Sequence, residues 1–178
     1  MRNVGVIGLG IMGSAMAANL RKAGYGVAGY DTVSARRREL ARIGGRVAGS
    51  AADVRTCTDV IITSLPSAAA LSDVSVELAG ARRGAQIVVE TSTLPIAVKE
   101  EARRRLADAG VTLLDCPLSG TGAQARVKDL VVYTSGPRGA CRRIAPVLKG
   151  FARGHHYAGP FGAGSRLKFV ANLLVAIH

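Results

Sequence analysis

Short apolar runs alternate with segments of helical periodicity along the chain, and the two patterns predict strands and helices in turn. Four runs rich in Val, Ile and Leu predict buried strands at residues 3–7, 60–65, 86–90 and 111–115. Four other runs predict further strands at residues 27–31, 46–48, 130–134 and 154–157. Pro66 ends the second of the buried runs, as expected of a residue that lacks the backbone donor.

Apolar residues that recur every three or four positions predict helices between these strands. The first helix runs to about Lys22, where Gly24 and Gly26 stop it. Ser34 is expected to cap the second helix, and Pro95 lies near the first turn of another. The remaining predicted helices cover residues 34–43, 53–57 (a short helix or turn), 67–78, 95–108, 138–148 and 165–177. This alternation predicts an α/β fold, a doubly wound and mainly parallel sheet with an antiparallel edge at its end.

The formal net charge of +12 comes mostly from 19 arginines, against 5 lysines. The arginine clusters fall on predicted helices or their ends, where the outer face meets solvent. Only seven residues are aromatic, and no nucleic-acid motif is present. We therefore expect no nucleic-acid partner, although a basic surface would still attract anionic substrates and cofactors.

The remaining composition predicts a globular cytoplasmic domain without a metal. Cys57, Cys116 and Cys141 are odd in number and widely spaced, which favours reduced thiols. The adjacent His155 and His156 lack partners at ligand spacing. No apolar stretch is long enough for a membrane span, and the first residues lead directly into a strand, so neither a membrane nor a signal peptide is expected.

Candidate chemistry begins where the first strand meets the first helix. Gly8-Leu9-Gly10-Ile11-Met12-Gly13 has the form Gly-x-Gly-x-x-Gly in that context. Gly8 permits the tight turn, Gly10 lets the backbone approach a pyrophosphate, and Gly13 lets the helix lie close to the strand. The free N–H groups of the helix N-terminus then face the phosphates. The motif predicts a Rossmann-like dinucleotide-binding domain.

An acid at the end of the second strand completes this pattern. Asp31 lies about 20 residues beyond the glycines and is expected to accept hydrogen bonds from the adenosine ribose hydroxyls. Thr32, rather than an arginine, follows it, so NAD is predicted over NADP. The nearby Arg36, Arg37 and Arg38 leave NADP possible.

Other loops at the carboxyl ends of the strands are expected to share this site. N–H groups near Ser119 and Gly120 could hold a carboxylate, or the segment could be a structural turn. Gly164, Lys168 and Asn172 recur every four residues and share one helix face. That face could meet a ligand, or Lys168 could extend along a solvated surface.

Five motifs in order resemble those of the β-hydroxyacid dehydrogenases, most closely the 3-hydroxyisobutyrate dehydrogenase type. They are Gly8–Gly13 with Met16-Ala17-Ala18-Asn19-Leu20, Leu65-Pro66, Thr91-Ser92-Thr93, Asp115-Cys116-Pro117-Leu118-Ser119-Gly120, and Gly164 with Lys168 and Asn172. The resemblance covers the whole chain. It implies NAD(P)-dependent oxidation of small 3-hydroxy acids, or reduction of the corresponding semialdehydes.

The resemblance also implies roles for single residues. Lys168 would be the catalytic acid/base, because removing a hydride from an alcohol carbon requires a base for the hydroxyl proton. Ser119 and Gly120 would hold the substrate carboxylate, with Thr121 beside them, and Asn172 would orient the substrate. The cofactor would contact Gly8, Leu9, Gly10, Ile11, Met12, Gly13, Asp31, Leu65, Pro66 and Thr93.

The chain departs from the family pattern in its substrate loop and in its length. Thr121 stands where a second glycine is usual, and Gln124 replaces another glycine, which leaves the substrate open. The resemblance implies an NAD(P)-binding domain at residues 1–161 and the beginning of a long interdomain helix at residues 162–178. Because the family's all-helical second domain is not in this sequence, the apolar face near residues 167–177 is expected to form a homo-oligomer contact, and turnover is expected to be poor.

The alternatives come from two classes, other enzymes of related sequence and non-catalytic binding modules. A 6-phosphogluconate-type dehydrogenase usually has His-Asn after the catalytic lysine, whereas Ala171 precedes Asn172 here. An imine reductase would normally lack the lysine. From another class, the chain could be a non-catalytic dinucleotide-binding or chromatin-associated module.

Overall fold

The computed structural model describes residues 2–81, 84 and 86–177, with side chains through residue 174. The described strands form one nine-stranded sheet. The strands are β1 (Asn3–Ile7), β2 (Gly26–Tyr30), β3 (Arg46–Val47), β4 (Val60–Thr63), β5 (Gln86–Glu90), β6 (Val111–Asp115), β7 (Leu118–Ser119), β8 (Val131–Ser135) and β9 (Gly154–Gly159). The helices are α1 (Ile11–Lys22), α2 (Ser34–Arg42), α3 (Ala51–Cys57), α4 (Ala68–Gly80), α5 (Ile96–Asp108), α6 (Gly122–Arg126), α7 (Arg138–Phe151) and α8 (Ala163–Ile177).

The strand order is β3-β2-β1-β4-β5-β6-β8-β7, and β9 pairs with β8. The six strands from β3 to β6 are parallel, whereas β8 is antiparallel to β6 and β7. Since β9 is parallel to β8, the sheet reverses direction at this end. The predicted doubly wound, mainly parallel sheet with an antiparallel edge is confirmed. The chain crosses from β3 to the far side of β1 to form β4, which creates the switch point where such sheets bind ligands.

Alternate side chains of the central strands enter two separate cores. In β1, Val4 and Val6 contact the core that includes α1 and α7, whereas Ile7 contacts the core of α3, α4 and α5. In β4, Ile62 enters the core with α1 and α7, and Ile61 enters the core with α3, α4 and α5. This alternation explains the continuous apolar runs in the sequence, since a strand covered on both faces has no solvated side.

Element boundaries differ from the predictions mainly at helix starts. Val33, not Ser34, occupies the N-cap position of α2, and no side chain caps this helix. Ser50 and Ser67 do act as N-caps, accepting hydrogen bonds from the backbone N–H groups of Asp53 and Ala70. The sequence prediction missed β7 and α6 because both are too short to show a period.

Within the described residues, no helix combines the length and apolar character needed to cross a membrane. The same residues contain no group of three or more His, Cys, Asp or Glu side chains placed to hold a metal ion. Helix α8 exposes a row of apolar side chains: Leu167, Phe169, Val170, Leu173 and Leu174.

Candidate cofactor and active site

The glycine loop between β1 and α1 has three glycines in three different environments. Gly8 has a φ of +86°, and a Cβ there would lie 2.1 Å from the Ser64 carbonyl oxygen. A Cβ at Gly13 would lie 1.8 Å from the Gly8 carbonyl oxygen, so α1 approaches its own strand too closely for any side chain. A Cβ at Gly10 would meet no protein atom within 4 Å. The open side of the loop at Gly10 therefore fits the approach of a cofactor pyrophosphate.

Asp31 is buried, with 6% of its surface exposed, at the end of β2. Its carboxylate accepts the backbone N–H groups of Leu9 at 2.7 Å and Val33 at 2.8 Å. Arg36 reaches the same carboxylate, with Nη1 3.3 Å from Oδ2, and Arg37 donates to the Asp31 carbonyl. Asp31 thus holds the glycine loop as well as facing the expected ribose position. The sequence showed only that Arg36 and Arg37 are near Asp31 along the chain. In the structure the first turn of α2 brings both arginines into direct contact with Asp31 at the end of β2.

A cavity of about 230 Å³ lies at this corner of the sheet. It brings together four predicted cofactor residues: Gly8, Asp31, Leu65 and Pro66. Its wall also carries Asp73, Glu77 and Arg36, so the lining has three acids and one base. A 2′-phosphate would meet this excess of negative charge, which favours a free ribose hydroxyl.

The predicted loops after β4 and β5 are hydrogen-bonded to each other. The Leu65 N–H donates to the Ser92 hydroxyl at 2.8 Å, and the Thr91 hydroxyl donates to the Thr63 carbonyl at 2.7 Å. Pro66 and Thr93 are exposed beside these buried contacts. The Thr-Ser-Thr segment therefore has one residue free to face a ligand and two that fix the loop.

The predicted substrate loop joins β7 to α6. Ser119 ends β7 and is half-buried, and Gly120 has a φ of +134°, which a residue with a side chain rarely adopts. Thr121 is the N-cap of α6, and its hydroxyl accepts the Gln124 N–H. The Gln124 side chain in turn accepts the Thr121 N–H at 2.9 Å. The two departures from the family pattern therefore form one capping box.

The substrate loop lies beside the glycine loop. A Cβ at Gly122 would be 2.5 Å from Ile11 Cγ2, so a side chain at this position would displace Ile11 at the contact between α6 and α1. The Asn19 side-chain amide also donates to the buried Ala125 carbonyl at 2.8 Å. Two predicted regions that are about a hundred residues apart in sequence thus share one edge of the sheet.

Helix α8 packs its first turn against the segment that leads into the substrate loop. A Cβ at Gly164 would lie 3.0 Å from Pro117 Cδ and 2.6 Å from the Tyr133 carbonyl oxygen. Lys168 is half-buried and Asn172 exposed, one and two turns further along the same face. Neither side chain hydrogen-bonds to another residue in the described part of the chain, so both polar groups remain available to a ligand.

Sequence reasoning missed a buried ionic cluster behind these loops. Lys99 Nζ lies 2.7 Å from Glu90 Oε2, 2.9 Å from Asp115 Oδ1 and 2.6 Å from the Ser92 carbonyl oxygen. The side chains of the lysine and its two acids have no more than 1% exposed surface. One signal was available: Lys99, Ala102 and Leu106 have the spacing of a helix face that enters the core.

Burial and pairing act in opposite directions on the pKa values of this cluster. Burial alone would lower the pKa of Lys99, but the charges of Glu90 and Asp115 raise it above its ordinary value. Burial raises the pKa of Glu90, and the contacts with Lys99 and Ser92 counteract that rise. Lys99 is therefore the protonated centre of the cluster and is unsuited to accept a proton from a substrate.

A larger cleft of about 680 Å³ lies between α5, the N-terminal half of β6 and the segment before α8. Arg103 and Arg138 stack on Phe161 and Tyr157 at this cleft. None of the predicted site residues lines it. It faces away from the carboxyl ends of the parallel strands, so its size does not make it the cofactor site.

A family model described as the NAD binding domain of 6-phosphogluconate dehydrogenase matches residues 3–159. The chain belongs to this family. It is a member of the β-hydroxyacid dehydrogenases, as the sequence resemblance implied, and it is an NAD-binding domain with the Rossmann-like fold.

Three relatives illustrate the similarity. The L-threonate dehydrogenase of Cupriavidus necator is 34% identical over 99% of this chain and 61% of the relative. The NAD-dependent L-serine dehydrogenase of Pseudomonas aeruginosa is 32% identical over 99% of this chain and 60% of the relative. The solved structure of Mycobacterium tuberculosis 3-hydroxyisobutyrate dehydrogenase with L-serine is 30% identical, with a TM-score of 0.95 over 99% of this chain and 61% of that chain. The chain thus spans about three fifths of the length of these relatives.

The different surroundings of Gly10 and Gly13 lead to a prediction within a single motif. Gly13→Ala should destabilise the protein, because its methyl group would collide with the Gly8 backbone. Gly10→Ala should keep the Tm of the parent but weaken NAD binding about tenfold or more, because its methyl group would occupy the expected pyrophosphate position. Thermal unfolding and NAD titration of both variants measure the difference. Equal NAD affinity in the parent and Gly10→Ala would contradict the assignment.

Proposed function

We propose that this chain contributes the cofactor site and the catalytic lysine of an oxidoreductase of the 3-hydroxyisobutyrate dehydrogenase type. The reaction is hydride transfer between a nicotinamide cofactor and a small 3-hydroxy acid or its semialdehyde. One observation carries the proposal: the first turn of α8, one turn before Lys168, packs against Pro117 at the entrance of the substrate loop. This contact supports the proposal, because Pro117 follows β6 at the carboxyl ends of the parallel strands, where the glycine loop also lies.

Each chemical task has a candidate residue in the proposed reaction. The Ser119 hydroxyl and the Gly120 N–H would bind the substrate carboxylate, and the Asn172 amide would orient the substrate. The Lys168 amine would take the hydroxyl proton during oxidation and return it during reduction. The bound nicotinamide ring would supply the hydride chemistry, which no side chain of this chain can perform.

The substrate class follows from the chemistry that the relatives' names share. 3-Hydroxyisobutyrate, L-serine and L-threonate all carry a carboxylate and a hydroxyl on the carbon two positions away, which is primary in the first two and secondary in L-threonate. Thr121 and Gln124 are expected to restrict substituents at the middle carbon, since both side chains stand where the family has glycine.

Two alternative functions predict different assay results. A 6-phosphogluconate-type enzyme would oxidise that sugar acid and leave 3-hydroxyisobutyrate and L-serine unchanged. A non-catalytic module would bind NAD, with or without duplex DNA, and oxidise none of them. A panel of 3-hydroxy acids and 6-phosphogluconate, assayed on a two-domain version that includes the family's helical domain, discriminates among the three.

Replacing the proposed catalytic lysine is the direct test of mechanism. In the two-domain version, Lys168→Ala should lower kcat about 10²–10⁴-fold, the usual contribution of a general acid–base group, and leave the Kd for NAD nearly unchanged. Arg166→Ala is the matched control, because it removes an exposed cation from the same helix. A Lys168→Ala enzyme within a few-fold of the parent kcat would contradict the role.

Cofactor preference depends on the balance between Asp31 and Arg36. We expect the parent to bind NAD more tightly than NADP, because the cavity lining contains more acids than bases. Asp31→Asn should shift the preference towards NADP, because it removes the negative charge and frees Arg36 to pair with a 2′-phosphate.

Arg36→Ala is the matched variant and should strengthen the preference for NAD, because Asp31 then faces the 2′-position without its cation. Dissociation constants for both cofactors, measured on the 178-residue chain and both variants, test the pair. Tighter binding of NADP than of NAD by the parent would overturn the assignment.

The 178-residue chain by itself should associate through α8 and turn over poorly. Leu173 and Leu174 are 60% and 55% exposed, and they belong to the apolar row that begins at Leu167. Leu173→Lys should shift sedimentation towards the monomer without changing NAD affinity, because the cofactor loops lie elsewhere. A parent that sediments as a monomer at high concentration, or that is fully active as 178 residues, would contradict this prediction.

A further inference from the structure

The buried Lys99 has two acidic partners, and each partner holds a different part of the site. Glu90 ends β5 and accepts the Ser92 N–H at 2.9 Å through Oε1, while Lys99 donates to the Ser92 carbonyl at 2.6 Å. Ser92 also accepts the Leu65 N–H at 2.8 Å through its hydroxyl. The Glu90 side of the cluster therefore fixes the two loops expected to line the cofactor.

Asp115 ends β6 and holds the first turn of α8. Its Oδ2 accepts the Ser165 N–H at 2.9 Å, and its Oδ1 accepts the Ser165 hydroxyl at 2.7 Å. The Ser135 hydroxyl lies 3.0 Å from Oδ2 and accepts the Gly164 N–H at 3.0 Å. A carboxylate that receives the N-terminal N–H groups of a helix is a favourable helix cap. Lys168 lies three residues beyond Ser165, so the Asp115 side fixes the helix of the proposed base.

We propose that Lys99 is a positioning residue that sets the cofactor loops and the helix of Lys168 at a fixed separation, with Glu90 acting on the loops and Asp115 on the helix. This proposal rests on the proposed function for its catalytic consequence, although the placement of the two segments can be measured without turnover. Hydride transfer requires the reacting atoms and the base to be aligned within a fraction of an ångström, which a shared buried cation can provide.

Both carboxylate oxygens of Asp115 accept hydrogen bonds, which makes this side of the cluster sensitive to small changes. Asp115 Oδ1 faces Lys99 and the Ser165 hydroxyl, and Oδ2 faces the Ser165 N–H. An amide nitrogen in place of either oxygen would bring a donor against a donor. In Glu90, Oε1 accepts the Ser92 N–H, whereas Oε2 makes the 2.7 Å ionic contact with Lys99 and accepts no hydrogen bond from the described residues. Asp115→Asn and Glu90→Gln are therefore matched: each removes one negative charge from the same lysine, but only Asp115 contacts α8.

The first experiment uses hydrogen exchange and NAD titration on the 178-residue chain. Asp115→Asn should speed exchange of the backbone amides of residues 165–170 by about tenfold, the loss expected from one or two charge-assisted hydrogen bonds, and change the Kd for NAD little. Glu90→Gln should do the reverse, raising the Kd for NAD and leaving those amides within about twofold. Glu100→Gln, which removes the partner of Arg103 on the same helix α5, is the control for loss of an acid outside the cluster.

Ser165→Ala keeps the test informative if Asp115→Asn fails to fold. It removes the 2.7 Å hydroxyl contact but retains the 2.9 Å N–H contact, so exchange in the first turn of α8 should rise by a smaller factor. Equal effects of Asp115→Asn and Glu90→Gln on both measurements would show only general destabilisation and would overturn the division of roles. Unchanged exchange in both Asp115→Asn and Ser165→Ala would also overturn it.

The catalytic consequence is measured separately in the two-domain version. Asp115→Asn should lower kcat at saturating NAD, whereas Glu90→Gln should act mainly by raising the KM for NAD. A split in the opposite sense would contradict the proposal. If the parent oxidises no 3-hydroxy acid, the proposed function fails, yet the exchange and NAD measurements still decide whether the cluster positions the two segments.

Discussion

The buried ammonium group of Lys99 joins the segments that meet at the carboxyl ends of β5 and β6, where the proposed site lies. Moving Lys99 and its acids out of water is costly, and only close contacts with good geometry offset that cost. The ammonium lies 2.6–2.9 Å from three oxygen atoms, and it donates hydrogen bonds to two of them, a carboxylate oxygen of Asp115 and the Ser92 carbonyl oxygen. An apolar side chain at this position would fill the same space, but it would allow β5, β6 and the start of α8 to shift relative to one another.

Close contacts also fix the shape of the glycine loop, which joins β1 to α1. A Cβ at Gly13 would lie 1.8 Å from the Gly8 carbonyl oxygen, so α1 begins in close backbone contact with the turn that precedes it. Asp31 adds a hydrogen bond of 2.7 Å to the Leu9 N–H, which links the end of β2 to this turn. The residue expected to bind the ribose therefore also sets the shape of the phosphate loop. The hydrogen bonds from the Leu9 and Val33 N–H groups explain why this carboxylate is almost fully buried.

Much of the fold follows from local patterns in the sequence, and most of what was missed depends on contacts between distant segments. The runs at β1, β5 and β6 have the predicted bounds, because a strand buried on both faces must be continuously apolar. The Lys99 cluster joins three elements, and no local period records which acids a buried lysine will meet. The lysine's position on the core-facing side of α5 was visible, but its partners at Glu90 and Asp115 looked like ordinary polar ends of strands.

The structure gives a physical reason for the two residues of the substrate loop that depart from the family pattern. Thr121 and Gln124 each replace a glycine, and in isolation each would be an added obstacle near the substrate. In the structure they bond to each other and start α6, and Gln124 Nε2 also donates to Asp129 at 3.1 Å. A glycine-rich loop would have to lose conformational freedom when a carboxylate binds. A loop already ordered by its own capping box would avoid much of that cost at the carboxylate site proposed beside Ser119.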